Sequence, residues 1–149
     1  MFRTKAFVTD VPKDGKCMYH AIGLQLKVNG FVLNNLVIDF IEKNSDTLLH
    51  GQSIKNWIKW DQNVTVTTYV KKLKHGQWGG ALESTILASL FNIPIFIYSP
   101  KNNLCTRISD CRPDPSILPI KINKPQYICL LYTGNHYLSL KVLQHEQLS

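Results

Sequence analysis

The hydrophobic period of this chain changes once along its 149 residues, and that change constrains the fold more than any other feature. Between positions 17 and 91, apolar residues recur three or four positions apart, as they do on the buried face of an amphipathic helix. Beyond position 91, the apolar runs are short, rich in isoleucine and bounded by turn residues, which is typical of strands. Helices that precede strands predict an α+β domain with a largely antiparallel sheet.

The segments that follow these two patterns define the predicted elements. Helices are predicted at 17–27, 33–41, 54–58, 66–73 and 82–91, with Ser53 and Thr65 as N-caps. Strands are predicted at 5–9, 93–98, 104–108, 117–122, 126–132 and 136–143. No repeat, linker or compositional break divides the chain, so we treat residues 1–149 as one domain.

Composition excludes several protein classes. With 44% hydrophobic and 18% charged residues, the chain does not resemble an intrinsically disordered protein. Its apolar runs are too short to cross a bilayer, and its first residues lack the apolar core of a secretory signal. We therefore expect an intracellular, cytoplasmic protein with reduced cysteines and no membrane partner.

The formal net charge of +7 raises the question of a polyanionic partner. Fourteen of the 17 basic residues are lysine, however, whereas recognition of phosphates and base edges favours the planar fork of arginine. We therefore rank nucleic-acid binding last among the candidate functions and expect no nucleic-acid partner.

Cys17 is the candidate nucleophile. It lies in the first turn of a predicted helix, where unpaired N–H groups and the helix dipole favour a thiolate. The preceding turn contains Gly15, which lets backbone N–H groups point into a shared concavity suited to an oxyanion hole. A buried, inert thiol is the alternative interpretation, so a reactive Cys17 requires a neighbouring base.

His136 is the candidate base, because imidazole has a pKa near neutrality. It follows the turn at 133–135 and opens a predicted strand, which places its ring at the strand mouth. His20 lies three residues after Cys17 and is a competing candidate. The other histidines lie in predicted loops or near the terminus: His50, His75 and His145.

Three short blocks of the sequence resemble signature segments of the ovarian tumour (OTU) cysteine proteases. The nucleophile segment of that family is similar to DGKCMY at 14–19, and a second family segment is similar to WGGALE at 78–83. The catalytic histidine with its aromatic follower is similar to HY at 136–137. The blocks occur in the family's order, which makes a chance match improbable, and the compact size resembles the viral members.

The resemblance implies a papain-related domain, with a central sheet flanked by helices, that acts as a thiol-dependent deubiquitinase without a cofactor. Cys17 would attack the carbonyl at the ubiquitin C-terminus and form a thioester, with His136 as base. Asp14 would shape the loop before the nucleophile, and the backbone of Gly15 and Lys16 would form the oxyanion hole. The partner would be ubiquitin or polyubiquitin, or another modifier that ends in Gly-Gly, bound by a monomer.

The resemblance also implies a narrow substrate channel. Its walls would include Trp78, Asn135 and Tyr137, although a core role remains open for the two aromatics, particularly for Trp78. Glu83 would anchor the start of a helix instead of acting as a catalytic acid.

One position departs from the family pattern. Many members carry Asn or Asp two residues after the histidine, but this chain has Leu138, which cannot hydrogen-bond an imidazole. The orienting role would fall to Asp14, which we favour, to Asn135, to a backbone carbonyl, or to no group. A catalytically weak ubiquitin-binding module of the same fold is therefore the alternative function.

Metal and phosphate chemistry have little support. Cys105 and Cys111 do not have the spacing of a zinc site, and the sequence contains no Cys-x-x-Cys pair. No glycine-rich phosphate loop is present either. We predict no metal site.

Overall fold

A computed structural model describes residues 2–101 and 104–147 of the chain. The strands are β1 (Phe2–Thr9), β2 (Leu48–Leu49), β3 (Gln52–Ser53), β4 (Ile95–Lys101), β5 (Leu104–Cys111), β6 (Ile128–Tyr132) and β7 (Tyr137–Gln147). The helices are α1 (Cys17–Leu26), α2 (Gly30–Lys43), α3 (Ile54–Gln62), α4 (Val66–Lys74) and α5 (Ala81–Phe91). The predicted α+β class is confirmed.

The described residues form one five-stranded sheet in the order β1-β7-β6-β4-β5, beside the small β2–β3 hairpin. Its neighbouring strands are antiparallel except for β4 and β6, which are parallel. The exception arises because the chain crosses back over β4 after β5 instead of returning through a hairpin. The sheet is therefore mostly antiparallel, as predicted.

Local sequence signals account for the helix starts. The side chains of Ser53 and Thr65 accept hydrogen bonds from the backbone N–H groups of Asn56 and Thr68, so both predicted N-caps are confirmed. Asn29 caps α2 in the same way.

No single helix in the described residues is long and apolar enough to span a membrane. Taken together, α1 and α2 have the length and composition of a span, but the pair is bent by 110° at its break.

The strand predicted at 117–122 is wrong. This segment belongs to the irregular crossover between β5 and β6, which contains Pro119, a residue that has no N–H for a strand ladder. Ile117 and Ile122 still pack against the core, and the N–H of Ile120 donates to the carbonyl of Leu90 at 2.6 Å. The apolar pattern here reflects burial without strand pairing.

The fold brings three distant chain segments to one end of the sheet. β1 pairs with β7 so that Thr9, the last residue of β1, lies opposite Ser139. α1 packs against β7 and α2. The end of β1, the start of α1 and the start of β7 therefore meet, and they carry residue 10, Cys17 and His136.

Candidate active site

Cys17 is the first residue of α1, and only 1% of its surface is exposed. The backbone N–H of Tyr137 lies close enough to the Cys17 side chain to favour its thiolate, so the sulfur is near the peptide that follows His136. Burial raises the pKa of the Cys17 thiol, while the N–H groups of Tyr137 and Met18 act in the opposite direction. The thiolate expected from the helix N-terminus alone is therefore not favoured, and the thiol needs a base.

His136 is held at the mouth of β7 by a tight turn. The backbone N–H and the hydroxyl of Thr133 donate to its carbonyl oxygen at 3.0 and 3.2 Å. Gly134 has a φ of 100°, which favours glycine at this point of the turn. Because the N–H of Tyr137, the next residue, lies near the Cys17 side chain, the structure brings the two predicted catalytic residues together.

The carboxylate that contacts His136 belongs to Asp10. Its Oδ1 lies 3.0 Å from His136 Nε2 and also accepts the N–H of Val11 at 2.9 Å. These hydrogen bonds, that of His136 first, lower the pKa of Asp10, so the group is an anion at neutral pH. Sequence reasoning missed Asp10, because it lies in a predicted loop.

This contact determines which nitrogen faces the nucleophile. An imidazole that donates Nε2–H to a carboxylate carries its lone pair on Nδ1. Nδ1 of His136 is then the nitrogen that remains for the Cys17 proton. The Asp10 side chain is 67% exposed, so this orienting contact is open to solvent on one side.

Asp14 does not orient His136, which corrects the favoured prediction. Its Oδ1 accepts the N–H of Lys16 at 2.8 Å, and its Oδ2 lies 3.2 Å from His20 Nε2. Its carbonyl oxygen accepts the N–H of Cys17 at 3.2 Å. All of these contacts are within the loop and α1, so Asp14 shapes the loop, as the resemblance implied.

The same contacts narrow the choice of oxyanion donors. The prediction that Lys16 is an oxyanion donor is corrected, because its N–H donates to Asp14 Oδ1; the N–H of Cys17 likewise donates to the Asp14 carbonyl. Within the described residues, the N–H groups of Asp14 and Gly15 have no hydrogen-bond partner, so they are the donors this loop can offer. Gly15 packs so closely on the carbonyl of Gly76 that a Cβ would collide with it.

The three predicted channel residues lie in different environments. Trp78 is 42% exposed, so the alternative of a core role for this residue is wrong. Tyr137 is the buried aromatic, with its ring centroid 4.7 Å from that of Tyr132. Asn135 is exposed, and its Oδ1 lies 3.2 Å from the Thr133 hydroxyl, where it shares that proton with the His136 carbonyl. Trp78 and Asn135 are thus free to contact a substrate, whereas Tyr137 supports the site from inside.

Glu83 fixes the loop that carries Trp78. Its side chain is almost fully buried and accepts the N–H of Gly80 at 2.8 Å and the hydroxyl of Tyr69 at 2.6 Å. Burial raises the pKa of Glu83, and the two hydrogen bonds partly offset that effect. The predicted role as a helix-start anchor agrees with this geometry.

The described residues contain neither a disulfide nor a cluster of metal ligands. The cysteines are all unpaired: Cys17, Cys105, Cys111 and Cys129. No group of three or more His, Cys, Asp or Glu side chains in the described part of the chain is arranged to hold a metal ion.

Comparison with known protein families identifies the architecture. The model of the OTU-like cysteine proteases matches residues 12–137, most of the chain. The chain belongs to this family. The match spans Cys17, the 78–83 block and His136 of the OTU domain, but Asp10 lies just before it.

Relatives of this OTU domain are distant in sequence. The ubiquitin thioesterase otu2 of Schizosaccharomyces pombe is 24% identical over an alignment that covers 88% of this chain and 44% of that protein. This chain therefore spans less than half the length of that curated relative.

Solved OTU domains share the fold. The Hazara virus OTU bound to ubiquitin matches with a TM-score of 0.67 at 18% identity, covering 96% of this chain and 89% of that one. The viral OTU domain protease from Farallon virus matches with a TM-score of 0.64 at 19% identity, covering 95% and 92%.

Proposed function

We propose that this OTU domain is a deubiquitinase that hydrolyses isopeptide bonds at the ubiquitin C-terminus through Cys17 and His136. The observation that carries the proposal is the arrangement at the mouth of β7, where Asp10 hydrogen-bonds His136 and the N–H of Tyr137 lies near the Cys17 side chain. The similarity to a named ubiquitin thioesterase and to an OTU domain bound to ubiquitin supports ubiquitin as the substrate.

The reaction follows from the positions of these groups. His136 Nδ1 takes the thiol proton, and the sulfur adds to the carbonyl carbon of the last ubiquitin residue. The carbonyl electrons move to oxygen, where the N–H groups of Asp14 and Gly15 stabilise the negative charge. The imidazolium then donates its proton to the leaving lysine nitrogen, the carbon–nitrogen bond breaks, and a thioester remains. Water activated by His136 hydrolyses the thioester and regenerates the thiol.

The alternative of a weak ubiquitin-binding module was motivated by Leu138. Its premise was that no side chain holds the imidazole. Because Asp10 Oδ1 accepts from His136 at 3.0 Å, that premise no longer applies. The geometry therefore favours the enzyme over the binding module.

A chemical probe tests the nucleophile. Ubiquitin with a C-terminal thiol-reactive group should label the wild-type protein, and Cys17→Ala should abolish labelling. Cys105→Ala is the matched control, because Cys105 is an exposed thiol that the mechanism does not use. Labelling that persists in Cys17→Ala would exclude Cys17 as the nucleophile.

A second measurement tests the base. We expect His136→Ala to lower kcat/KM for a fluorogenic ubiquitin substrate by about 10³-fold or more. His75→Ala, which changes a histidine at the end of α4, should leave the rate within about twofold, as for a surface substitution. Ubiquitin binding by the wild type without cleavage of any linkage or other Gly-Gly modifier would contradict the proposal and favour the binding module.

A further inference from the structure

We propose that His20 is a positioning residue that holds the oxyanion loop, residues 14–16, through the Asp14 carboxylate. This inference rests on the proposed function, because it assigns His20 a role in the same acyl-transfer reaction. In this role His20 affects the stabilisation of the oxyanion, whereas His136 alone accepts the proton from Cys17.

His20 connects the loop to the helix that carries the nucleophile. It lies three residues after Cys17 on α1, and its Nε2 is 3.2 Å from Asp14 Oδ2. Its backbone N–H donates to the carbonyl of Lys16 at 3.0 Å. The His20 side chain is 11% exposed and that of Asp14 is 45% exposed, so a fixed ring restrains a carboxylate that is otherwise open to solvent.

The environment of His20 allows its ring few alternatives. Phe31 on α2 makes an edge contact with the ring, with centroids 4.9 Å apart and planes at 80°. On another side, Gly30 lies so close that a Cβ there would collide with His20 Nδ1. With Nδ1 against α2, Nε2 points towards the loop. The same constraint argues against His20 as the base, since Nε2 is already occupied by Asp14.

The consequence for the loop follows from the acceptors of Asp14. Its carbonyl and Oδ1 hold the N–H groups of Cys17 and Lys16, and its Oδ2 is held by His20. This arrangement leaves the N–H groups of Asp14 and Gly15 free for a substrate oxyanion. Without His20, the half-exposed carboxylate can rotate away from Lys16, and the loop loses the geometry that oxyanion stabilisation requires.

Two reactions of the same thiol separate this role from a general structural one. Hydrolysis of a fluorogenic ubiquitin amide passes through a tetrahedral oxyanion. Alkylation by ubiquitin 2-bromoethylamide does not, because the sulfur displaces bromide as the carbon–sulfur bond forms and the carbon–bromine bond breaks. A residue that acts through the oxyanion loop should affect the first reaction alone.

We expect His20→Asn to lower kcat for hydrolysis about 10- to 100-fold, with KM and the alkylation rate constant within about threefold of wild type. His20→Gln should recover most of the hydrolysis, since its amide nitrogen reaches the position of Nε2 whereas that of asparagine does not. His50→Gln is the matched control. Like His20, the His50 ring makes a hydrogen bond through Nε2, but its partner is the carbonyl of Arg112 at 2.8 Å and not the oxyanion loop.

The outcomes are distinguishable. Equal losses in hydrolysis and alkylation in His20→Asn, or unchanged hydrolysis in that variant, would overturn the role of His20 while the enzyme itself stands. A wild-type protein that neither hydrolyses nor is alkylated would overturn the proposed function. Thermal denaturation of both His20 variants shows that the comparison is made on folded protein, and His20→Gln supplies the readout should His20→Asn fail to fold.

Discussion

The contact between Gly15 and Gly76 makes the oxyanion loop sensitive to a single methyl group. Gly15 does not have a positive φ, so it is required for space and not for backbone conformation. A Cβ at Gly15 would stand 3.0 Å from the carbonyl carbon of Gly76, closer still to its oxygen, and 3.3 Å from its Cα. All three atoms belong to the backbone, so no side-chain rotation relieves the collision.

The size of the effect follows from this geometry. Carbon atoms pack at about 3.5–4.0 Å, so Gly15→Ala must push the two loops apart by roughly 0.5–1 Å. Overpacking of this kind costs about 1–3 kcal/mol, which lowers Tm by roughly 2–12 °C for a protein of this length. A displacement of this size at catalytic donors should lower kcat about 10- to 100-fold.

Gly80→Ala is the matched control in the facing segment. Gly80 has an extended backbone, and a Cβ there would meet nothing closer than Glu83 Oε1 at 3.9 Å. We expect at most a small decrease in its Tm, because Gly80 is the N-cap of α5, where alanine is less favourable than glycine. Thermal denaturation and hydrolysis of a fluorogenic ubiquitin amide measure both variants. If Gly15→Ala behaves like Gly80→Ala in both assays, the tight packing of these loops is not a determinant of the site.

Two further predictions concern carboxylates. Asp10→Ala should lower kcat/KM by about tenfold or more, though by less than the roughly 10⁴-fold seen for a buried triad acid, because Asp10 is exposed to solvent. Asp10→Asn should lower kcat/KM less, since its amide oxygen still accepts from His136. Wild-type activity of Asp10→Ala would refute the orienting role. Because burial raises the pKa of Glu83 in the folded state, its contribution to stability is present at low pH and is lost as pH rises. The Tm of Glu83→Gln relative to wild type should therefore increase between about pH 4 and pH 7, and a pH-independent difference would contradict the direction of this shift.

Local sequence patterns predicted most of the helices and strands. Helical periodicity with a side-chain cap was sufficient for α3 and α4, because Ser53 and Thr65 satisfy N–H groups within their own first turns. The failure at 117–122 has a different cause, since burial of Ile117 and Ile122 gives an apolar pattern without strand pairing. The parallel pairing of β4 with β6 could not be predicted either, because it depends on how a long crossover is routed.

The site was predictable only where its residues are local to a motif. Cys17 and His136 each lie in a short recognisable block, and the structure brings them together. Asp10 has no such block, and 126 residues separate it from the ring that it contacts. Its role depends on the pairing of two strands from opposite ends of the chain, which no local pattern encodes.

That pairing explains how His136 retains a carboxylate although position 138 is leucine. Residues two apart on a strand share a face, and so do residues directly opposite each other on paired strands. Thr9, the last paired residue of β1, lies opposite Ser139, so the ladder ends where the next residue, Asp10, reaches the ring of His136. The acid that many family members carry on the histidine's own strand is thus supplied here by the residue that follows the neighbouring strand. β1 is an edge strand whose register decides where Asp10 lies, so a slip of one residue against β7 would remove the carboxylate from the ring even if Cys17 and His136 stayed in place.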